Sequence, residues 1–191
     1  MSDTRGYIFQ AALEIQRFFE MNGWDFVFIG GLAVIRWGQP RTTVDVDGTV
    51  LTLFVDEEKY INAMLDRFAS RVSDAKKFAE NNRVLLLTAS NGIGIDISLG
   101  GLPFEQQVVE RSSLYEYEKN CVLRTCSAED LIVLKAFADR DKDWGDVRSI
   151  LQRQRGKLDI NYVLDNLQWL CELKEDPEIV TKLNKMIEST I

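Results

Sequence analysis

The sequence predicts an α+β fold, in which a small mixed sheet flanked by helices is followed by a helical carboxy-terminal part. Short apolar runs that alternate with polar residues, or that end at glycines, occupy much of the chain before Ser127, as strands do in a half-buried sheet. Nearly everything beyond Ser127 has apolar residues at helical spacing. Only 3 prolines and no low-complexity run occur among 191 residues, so long disordered linkers are not expected.

The first predicted elements are a helix, a strand, a glycine turn and a short helix. Apolar residues recur at helical spacing over 8–19, and Asn22-Gly23 supplies a helix stop. The aromatic and β-branched run 26–29 predicts a strand that ends at Gly30-Gly31, and a short helix follows over 32–37.

The stretch 43–50 alternates as a strand with one apolar and one polar face. The apolar side chains are Val44, Val46 and Val50, and the polar ones are Thr43, Asp45, Asp47 and Thr49. A helix is predicted for 54–68, and strands for 84–88 and 93–99 on either side of Asn91-Gly92, which is a strong hairpin signal. Asp96 lies alone between two isoleucines in the last of these strands.

The carboxy-terminal part is predicted to be helical throughout. The predicted helices cover 131–138, 143–154 and 160–173 and start again at Asp176-Pro177, with N-caps at Ser127, which forms a capping box with Asp130, and at Asp159. A soft boundary at 121–127 gives two predicted domains, an α/β catalytic domain over 1–122 and a helical substrate-binding domain over 123–191.

Composition excludes several kinds of chemistry. The chain has 0 histidines, which excludes Ser-His-Asp and Cys-His catalysis, histidine-ligated zinc and a histidine general base. Chemistry must use carboxylates, lysine, arginine, hydroxyls, thiols or metals held by oxygen. A net charge of -7, from 30 acidic against 23 basic residues, argues against general coating of nucleic acid, so a polyanion needs a local basic site.

The cysteines and the amino terminus indicate a cytoplasmic protein. Cys121, Cys126 and Cys171 are odd in number and have no histidine partners, so we expect reduced thiols. The segment 1–5 has no signal-peptide pattern, and no apolar run approaches the roughly 18 residues that span a bilayer. We expect neither secretion nor membrane insertion.

Three aspartates are candidate metal ligands. Asp45 and Asp47 are two residues apart on one strand, so their side chains project into the same space. Like charges so placed repel unless a cation lies between them. Oxygen ligands suit Mg²⁺ or Mn²⁺, and Asp96 supplies a third carboxylate if its strand pairs alongside. The alternative is that all three are solvated residues on an open sheet face.

The Gly30-Gly31 pair between a strand and a helix is a candidate phosphate site. Without side chains, a phosphate can approach the backbone and the free N–H groups at the helix start. Taken alone, the pair fits a tight turn equally well. Followed by the Asp45 and Asp47 pair, it describes a site for a metal-bound triphosphate.

Lys135 and the basic stretch 140–157 are candidates for binding anions. Lys135 is the one polar residue within 131–138, and a lysine in such an apolar helix needs an anionic partner. Either the triphosphate or Asp139, one turn later, meets this need. The stretch 140–157 fits either an RNA phosphate backbone or a solvated helix surface, and Trp144 within it fits either base stacking or packing.

The residues from 28 to 47 resemble the signature of the DNA polymerase β-type nucleotidyltransferase superfamily. That signature is a Gly-Gly or Gly-Ser pair after an apolar residue and, beyond a short helix, an Asp-x-Asp. Gly-Gly-Leu-Ala, Trp-Gly and Arg-Thr-Thr-x-Asp-x-Asp are most similar to the AbiEii and MenT-type group, the toxin-side enzymes of abortive-infection and toxin–antitoxin systems. The segment 129–146 is similar to the lysine-containing helix of that group. Gly31, where serine is common, and Gly48, where an apolar residue is usual, depart from the pattern.

The resemblance implies a nucleotidyltransferase fold and transfer of a nucleoside monophosphate (NMP) from an NTP, with release of pyrophosphate. It implies that Asp45 and Asp47 are catalytic residues that hold two Mg²⁺ ions, and that Asp96 matches the third catalytic carboxylate. It also implies that the acceptor is a hydroxyl group.

The resemblance also assigns residues to nucleotide binding. Gly30 and Gly31 would contact the β- and γ-phosphates through the backbone, and Lys135 would bind the triphosphate. Arg41 either contacts a phosphate or pairs with a carboxylate.

Three hypotheses follow for function. The first is a Mg²⁺-dependent nucleotidyltransferase acting on RNA, above all tRNA, through 140–157, or on protein, with a cognate antitoxin as partner if the chain is a toxin. The second is an inactive nucleotide- or partner-binding module of the same fold, which the residues at 31 and 48 favour. The third is a small-molecule nucleotidyltransferase that resembles the aminoglycoside-modifying enzymes, since an acidic protein suits a cationic substrate.

Overall fold

The computed structural model describes residues 4–190, with side chains from residue 6. Residues 1–3, the start of the segment in which the sequence shows no signal-peptide pattern, lie outside the described residues, as does Ile191. The predicted α+β class is confirmed, because a mixed sheet with helices is followed by a helical part.

Helices and strands intermix up to residue 125, after which the described residues form helices and loops. The helices are α1 (Thr4–Asn22), α2 (Gly30–Trp37), α3 (Glu57–Arg67), α4 (Ala75–Asn82), α5 (Pro103–Glu110), α6 (Ala128–Ala138), α7 (Asp141–Arg153), α8 (Ile160–Lys174) and α9 (Glu178–Thr190). The strands are β1 (Phe26–Phe28), β2 (Asp45–Leu51), β3 (Ala69–Ser70), β4 (Val84–Thr88), β5 (Gly94–Gly100), β6 (Ser113–Glu118) and β7 (Cys121–Thr125).

The strands form one mixed sheet in the order β3-β4-β5-β2-β1-β7-β6. β2 pairs in parallel with β5, and β1 with β7, whereas the other neighbours are antiparallel. This register places Asp47 beside Asp96 and Gly48 beside Phe28. The hairpin predicted at Asn91-Gly92 is confirmed, since β4 and β5 are antiparallel neighbours joined by 89–93.

The core of the sheet region is built from the apolar faces of α1 and the strands. Ile8, Ile15 and Phe19 of α1 are buried in one cluster with Phe28 and Ile97. Burial of such side chains stabilises the fold by about 1.5–3 kcal/mol each.

Two local predictions at the ends of elements are wrong. Val44 does not belong to the apolar face of β2, because the strand begins one residue later and the Val44 side chain is 71% exposed. The helix predicted from Phe54 begins only at Glu57, because Leu53 and Phe54 have φ angles of 52° and 61°, which a right-handed helix does not allow.

The chain divides into two compact units. The first contains the residues up to Leu32 together with Thr42–Thr125, and the second contains Ala33–Arg41 together with the residues from Cys126 onward. Hydrogen bonds explain why the segment Ala33–Arg41 belongs to the second unit. Trp37 Nε1 donates to the Cys126 carbonyl at 2.8 Å, and Gln154 Nε2 donates to the Trp37 carbonyl at 2.9 Å.

The helices of the second unit begin at the predicted caps. The Ser127 hydroxyl accepts a hydrogen bond from the Asp130 N–H at 3.1 Å, and Asp159 Oδ1 accepts one from the Tyr162 N–H at 3.0 Å. Across residues 4–190, the helices are too short or too polar to cross a membrane.

Candidate active site

Asp45, Asp47 and Asp96 converge near the start of β2 and β5. One carboxylate oxygen from each lies within 4.8 Å of one from each of the others. Asp47 and Asp96 are register partners on parallel strands, and Asp45 lies two residues earlier on the same face of β2. All three residues are half-buried. Three convergent carboxylates fit a hard divalent cation, because Mg²⁺ and Mn²⁺ prefer oxygen ligands.

The glycine turn between β1 and α2 lies against Asp47. Gly30 has a φ of +55°, and a Cβ at this position would lie 2.0 Å from Asp47 Oδ2, so both the backbone and the neighbouring carboxylate require glycine. The Gly31 N–H points to the same oxygen at 3.4 Å, and the Ile29 N–H donates to the Asp47 carbonyl at 3.0 Å. The amino terminus of α2 therefore stabilises a negative charge here.

A hydroxyl group lies beside Gly31 although position 31 carries none. The Thr43 Oγ1 atom would lie 2.2 Å from a Cβ at Gly31, so it fills the space that a side chain there would occupy. This hydroxyl lies 3.2 Å from the Asp45 carbonyl and 3.3 Å from Asp45 Oδ1. The alternating pattern placed Thr43 on the carboxylate face but indicated no role for it.

Gly48 is accommodated by the packing of the sheet. A Cβ at this position would lie 3.2 Å from Ile97 Cδ1, 3.3 Å from the Val27 carbonyl and 3.4 Å from Phe28 Cδ1. Large side chains on the neighbouring strands thus fill the place of the apolar residue that is usual here.

Arg71, for which the sequence provides no signal, pairs with Asp96. Its Nη2 donates to Asp96 Oδ1, and its Nε donates to the Leu87 carbonyl at 3.0 Å. The two side chains are 37% and 30% exposed. The contact depends on the pairing of β3, β4 and β5, so no spacing along the chain reveals it.

In the second unit Lys135 lies in a buried ion network. Its Nζ is 2.6 Å from Asp143 Oδ1 and 2.9 Å from Asp146 Oδ2. Arg140 Nε donates to the other oxygen of Asp143, and Arg41 donates to both oxygens of Asp146 at 2.8 Å. Lys135, Asp143 and Asp146 are at most 7% exposed, so these charges compensate one another away from water.

The cations keep both carboxylates of this network ionised. Burial raises the pKa of Asp143, but hydrogen bonds from Arg140 and Lys135 outweigh it and hold that pKa below its usual value. Burial likewise raises the pKa of Asp146, and hydrogen bonds from Arg41 and Lys135 bring it below the usual value.

Asp139 does not pair with Lys135, so that alternative is wrong. Asp139 ends α6 with a φ of 50°, which breaks the helical spacing to Lys135. Its Oδ1 instead accepts from Trp144 Nε1 at 2.6 Å and from Lys182 Nζ at 2.8 Å. Trp144 is 6% exposed, with Lys182 Nζ 4.4 Å from the ring centroid, so its interpretation as a packing residue is confirmed.

The seven predicted site residues fall into two groups. Gly30, Gly31 and the three aspartates come together in the first unit. Arg41 and Lys135 belong to the second unit, where they share Asp146. Pairing with a carboxylate is one of the two roles predicted for Arg41. Contact of either cation with a triphosphate stays a prediction.

The cysteines are free, buried thiols. Burial, assisted by Glu118, raises the pKa of Cys121 to about 11. Burial also raises the pKa of Cys126 and of Cys171. A thiol that stays protonated at neutral pH is a poor nucleophile, so the three cysteines are not candidate nucleophiles.

Solved structures of similar fold include nucleotidyltransferases and a nucleotidyltransferase-like protein. ANT(2")-Ia in complex with adenylyl-2"-tobramycin has a TM-score of 0.53 and 15% identity, covering 90% of this chain and 97% of that chain. The lincomycin-bound lincosamide antibiotic adenylyltransferase LnuA has a TM-score of 0.51 and 16% identity, covering 74% and 94%. An antigenic nucleotidyltransferase-like protein from Paracoccidioides brasiliensis has a TM-score of 0.52 and 14% identity, covering 96% and 93%. The fold is thus the nucleotidyltransferase fold, as predicted.

The family follows from the sequence itself. The profile described as "Nucleotidyl transferase AbiEii toxin, Type IV TA system" matches residues 22–176. The chain belongs to this AbiEii nucleotidyltransferase family and is therefore a nucleotidyltransferase. This confirms the resemblance carried by residues 28–47. A search of curated proteins gives no match.

Proposed function

We propose that this protein is a divalent-metal-dependent nucleotidyltransferase that transfers an NMP from an NTP to a hydroxyl group of RNA, with tRNA as the first candidate acceptor. The observation that carries the proposal is the convergence of three carboxylates beside a glycine turn that opens a helix.

Asp45, Asp47 and Asp96 would hold the metal ions, Mg²⁺ or Mn²⁺. A divalent cation held there would lower the pKa of the acceptor hydroxyl and neutralise charge on the triphosphate. Thr43 and the Gly31 N–H hold the carboxylates of Asp45 and Asp47 in place before substrate binds. Preorganised carboxylates of this kind need little rearrangement during the reaction.

The glycine turn supplies the surface for the triphosphate. The first turn of α2, which begins at Gly30 and Gly31, offers its backbone N–H groups to phosphate oxygens, because the first N–H groups of a helix have no acceptor within it. The acceptor oxygen then attacks the α-phosphorus in line, and pyrophosphate departs. The first unit is the proposed catalytic part.

Membership of a toxin family supports the proposal that a cognate antitoxin controls this activity. The packing of Gly48 and the hydroxyl of Thr43 both favour an active enzyme over an inactive module, since each makes up for a residue that departs from the usual pattern.

Transfer of label from each α-labelled NTP, with Mg²⁺, tests the proposal. Total tRNA, the protein itself and a panel of aminoglycosides serve as parallel acceptors. We expect label on tRNA with at least one NTP. Label on an aminoglycoside or on protein instead of tRNA would contradict the RNA acceptor. No label anywhere, with metal-dependent NTP binding by calorimetry, would show an inactive module.

Arg71→Gln is expected to bind Mn²⁺ about fivefold more tightly than the wild type. The Arg71 guanidinium competes with a metal ion for Asp96, and repulsion between like charges a few ångströms apart in a solvated site is on the order of 1 kcal/mol. Titration followed by water-proton relaxation measures this affinity without turnover.

The matched control for this variant is Arg67→Gln, which removes the same charge from an arginine paired with Glu14. The control should leave Mn²⁺ affinity unchanged. Weaker or equal binding by Arg71→Gln would show that Arg71 does not compete for Asp96.

A further inference from the structure

The helix α7 contains a glycine that the fold does not explain. Gly145 lies in the interior of α7 and is exposed, and a Cβ built there would meet nothing within 4 Å. By contrast, a Cβ at Gly38 in the same unit would lie 2.6 Å from Ser149 Oγ. Glycine weakens a helix interior relative to alanine, so helix propensity favours a larger residue at 145, and the packing leaves room for one.

The exposed face around Gly145 is cationic. Lys142 and Arg148 are exposed and lie three residues before and after Gly145, which places them on the same face of the helix. The stretch 140–157 has three acids, of which Asp143 and Asp146 are buried and paired with Lys135.

Burial of these two acids changes the charge that the stretch presents to solvent. Its six basic residues are all exposed, whereas Asp141 is the only exposed acid among residues 140–157, which the structure describes in full. The exposed bases are Arg140, Lys142, Arg148, Arg153, Arg155 and Lys157. A chain with a net charge of -7 thus exposes a local cationic surface.

We propose that the phosphodiester backbone of the acceptor RNA crosses α7 at Gly145. Lys142 and Arg148 contact phosphates on either side, and the absence of a side chain between them lets the RNA approach the helix backbone. This inference rests on the proposed function, because it supplies a binding surface for the same acceptor.

The test uses a substitution, Gly145→Ala, that is expected to stabilise the fold but to weaken tRNA binding, and a second substitution, Arg148→Glu, that removes a phosphate contact. Gly145→Ala is expected to raise the melting temperature by about 2–4 °C, because alanine favours the helix. The same variant should bind tRNA at least about threefold more weakly, because the methyl group keeps the backbone away. Arg148→Glu should weaken tRNA binding about tenfold. It should also make the slope of log binding constant against log salt concentration less steep, by the amount that corresponds to about one phosphate contact.

Lys185→Glu, at an exposed position of α9, is the matched control for the charge change and should bind tRNA as the wild type does. Suppose that wild-type protein binds and labels tRNA while Gly145→Ala and Arg148→Glu bind tRNA with the wild-type affinity. In that case the proposal that RNA contacts α7 is wrong, and the proposed function stands. If wild-type protein neither binds nor labels tRNA, both are wrong. An equal loss of binding to polyglutamate would show a general polyanion surface and overturn the assignment to RNA.

Discussion

Asp45→Asn and Asp47→Asn are each expected to lower NMP transfer by about a thousandfold or more, to the background of the assay. Asparagine keeps the size of the side chain and one oxygen, but it removes a negative charge from a group whose oxygens lie within 4.8 Å of one another. Metal-dependent phosphoryl chemistry depends on that charge to hold the divalent cation. Transfer of label from an α-labelled NTP to tRNA measures the effect.

The fold should survive both substitutions. The remaining oxygen of an asparagine at 47 can still accept from the Gly31 N–H, and relief of repulsion among three carboxylates offsets the lost contacts. Equal melting temperatures and a loss of Mn²⁺ binding would locate the defect in the metal site. Asp66→Asn, an exposed carboxylate on α3, is the control and should retain full transfer. Wild-type rates of NMP transfer by both Asp45→Asn and Asp47→Asn would contradict the proposed mechanism.

Lys135→Met is expected to lower the free energy of unfolding by about 3–5 kcal/mol at neutral pH. The substitution keeps the length of the side chain but leaves Asp143 and Asp146 buried without the cation between them. Arg140 and Arg41 remain as partners, which places the loss at the lower end of that range. Urea denaturation followed by circular dichroism measures it.

The effect of Lys135→Met should shrink as the pH falls. The pKa values of Asp143 and Asp146 are lowered in the native protein, so these groups contribute stability that is present above their unfolded pKa of about 3.9 and is lost as the pH drops through the native values. In the variant, burial raises both pKa values with less opposition, so the carboxyls are protonated at higher pH. The difference in stability between wild type and variant therefore narrows on acidification.

Two further variants separate the network from a general packing effect. Lys135→Met combined with Asp143→Asn should recover part of the lost stability, because one of the two buried carboxylates that have lost Lys135 is then neutral. Lys174→Met, an exposed lysine at the end of α8, should change stability by less than about 1 kcal/mol. A gap between wild type and Lys135→Met that is constant from pH 7 to pH 3 would contradict the electrostatic explanation.

The sequence predicted the features of the site that depend on residues close together in the chain. Alternation along 43–50 placed Asp45 and Asp47 on one face, and the Asn91-Gly92 signal predicted the hairpin that contains Asp96. The sequence predicted that Asp96 joins the other two carboxylates only if its strand pairs alongside theirs. That pairing requires β5 to lie next to β2 in one particular register. No pattern within either strand specifies that pairing.

Two elements were missed in the sequence although one carries a signal. β6 alternates aromatic and acidic residues over 115–118, a pattern typical of a strand, but it is exposed along most of its length, and α4 buries only Ala79. The partner of Lys135 could not be predicted either. The sequence offers Asp139 at helical spacing, but the left-handed end of α6 moves that residue away and brings α7 with its two aspartates into reach.

The parallel pairing of β2 with β5 has a consequence for the order in which the protein is made. Parallel neighbours require a long connection, and here that connection includes α3, β3, α4 and β4. Asp47 therefore emerges from the ribosome well before Asp96, and the two meet only when β5 has been synthesised and inserted beside β2. Chains that terminate before β5 lack Asp96, so the cluster of three carboxylates forms only late in translation.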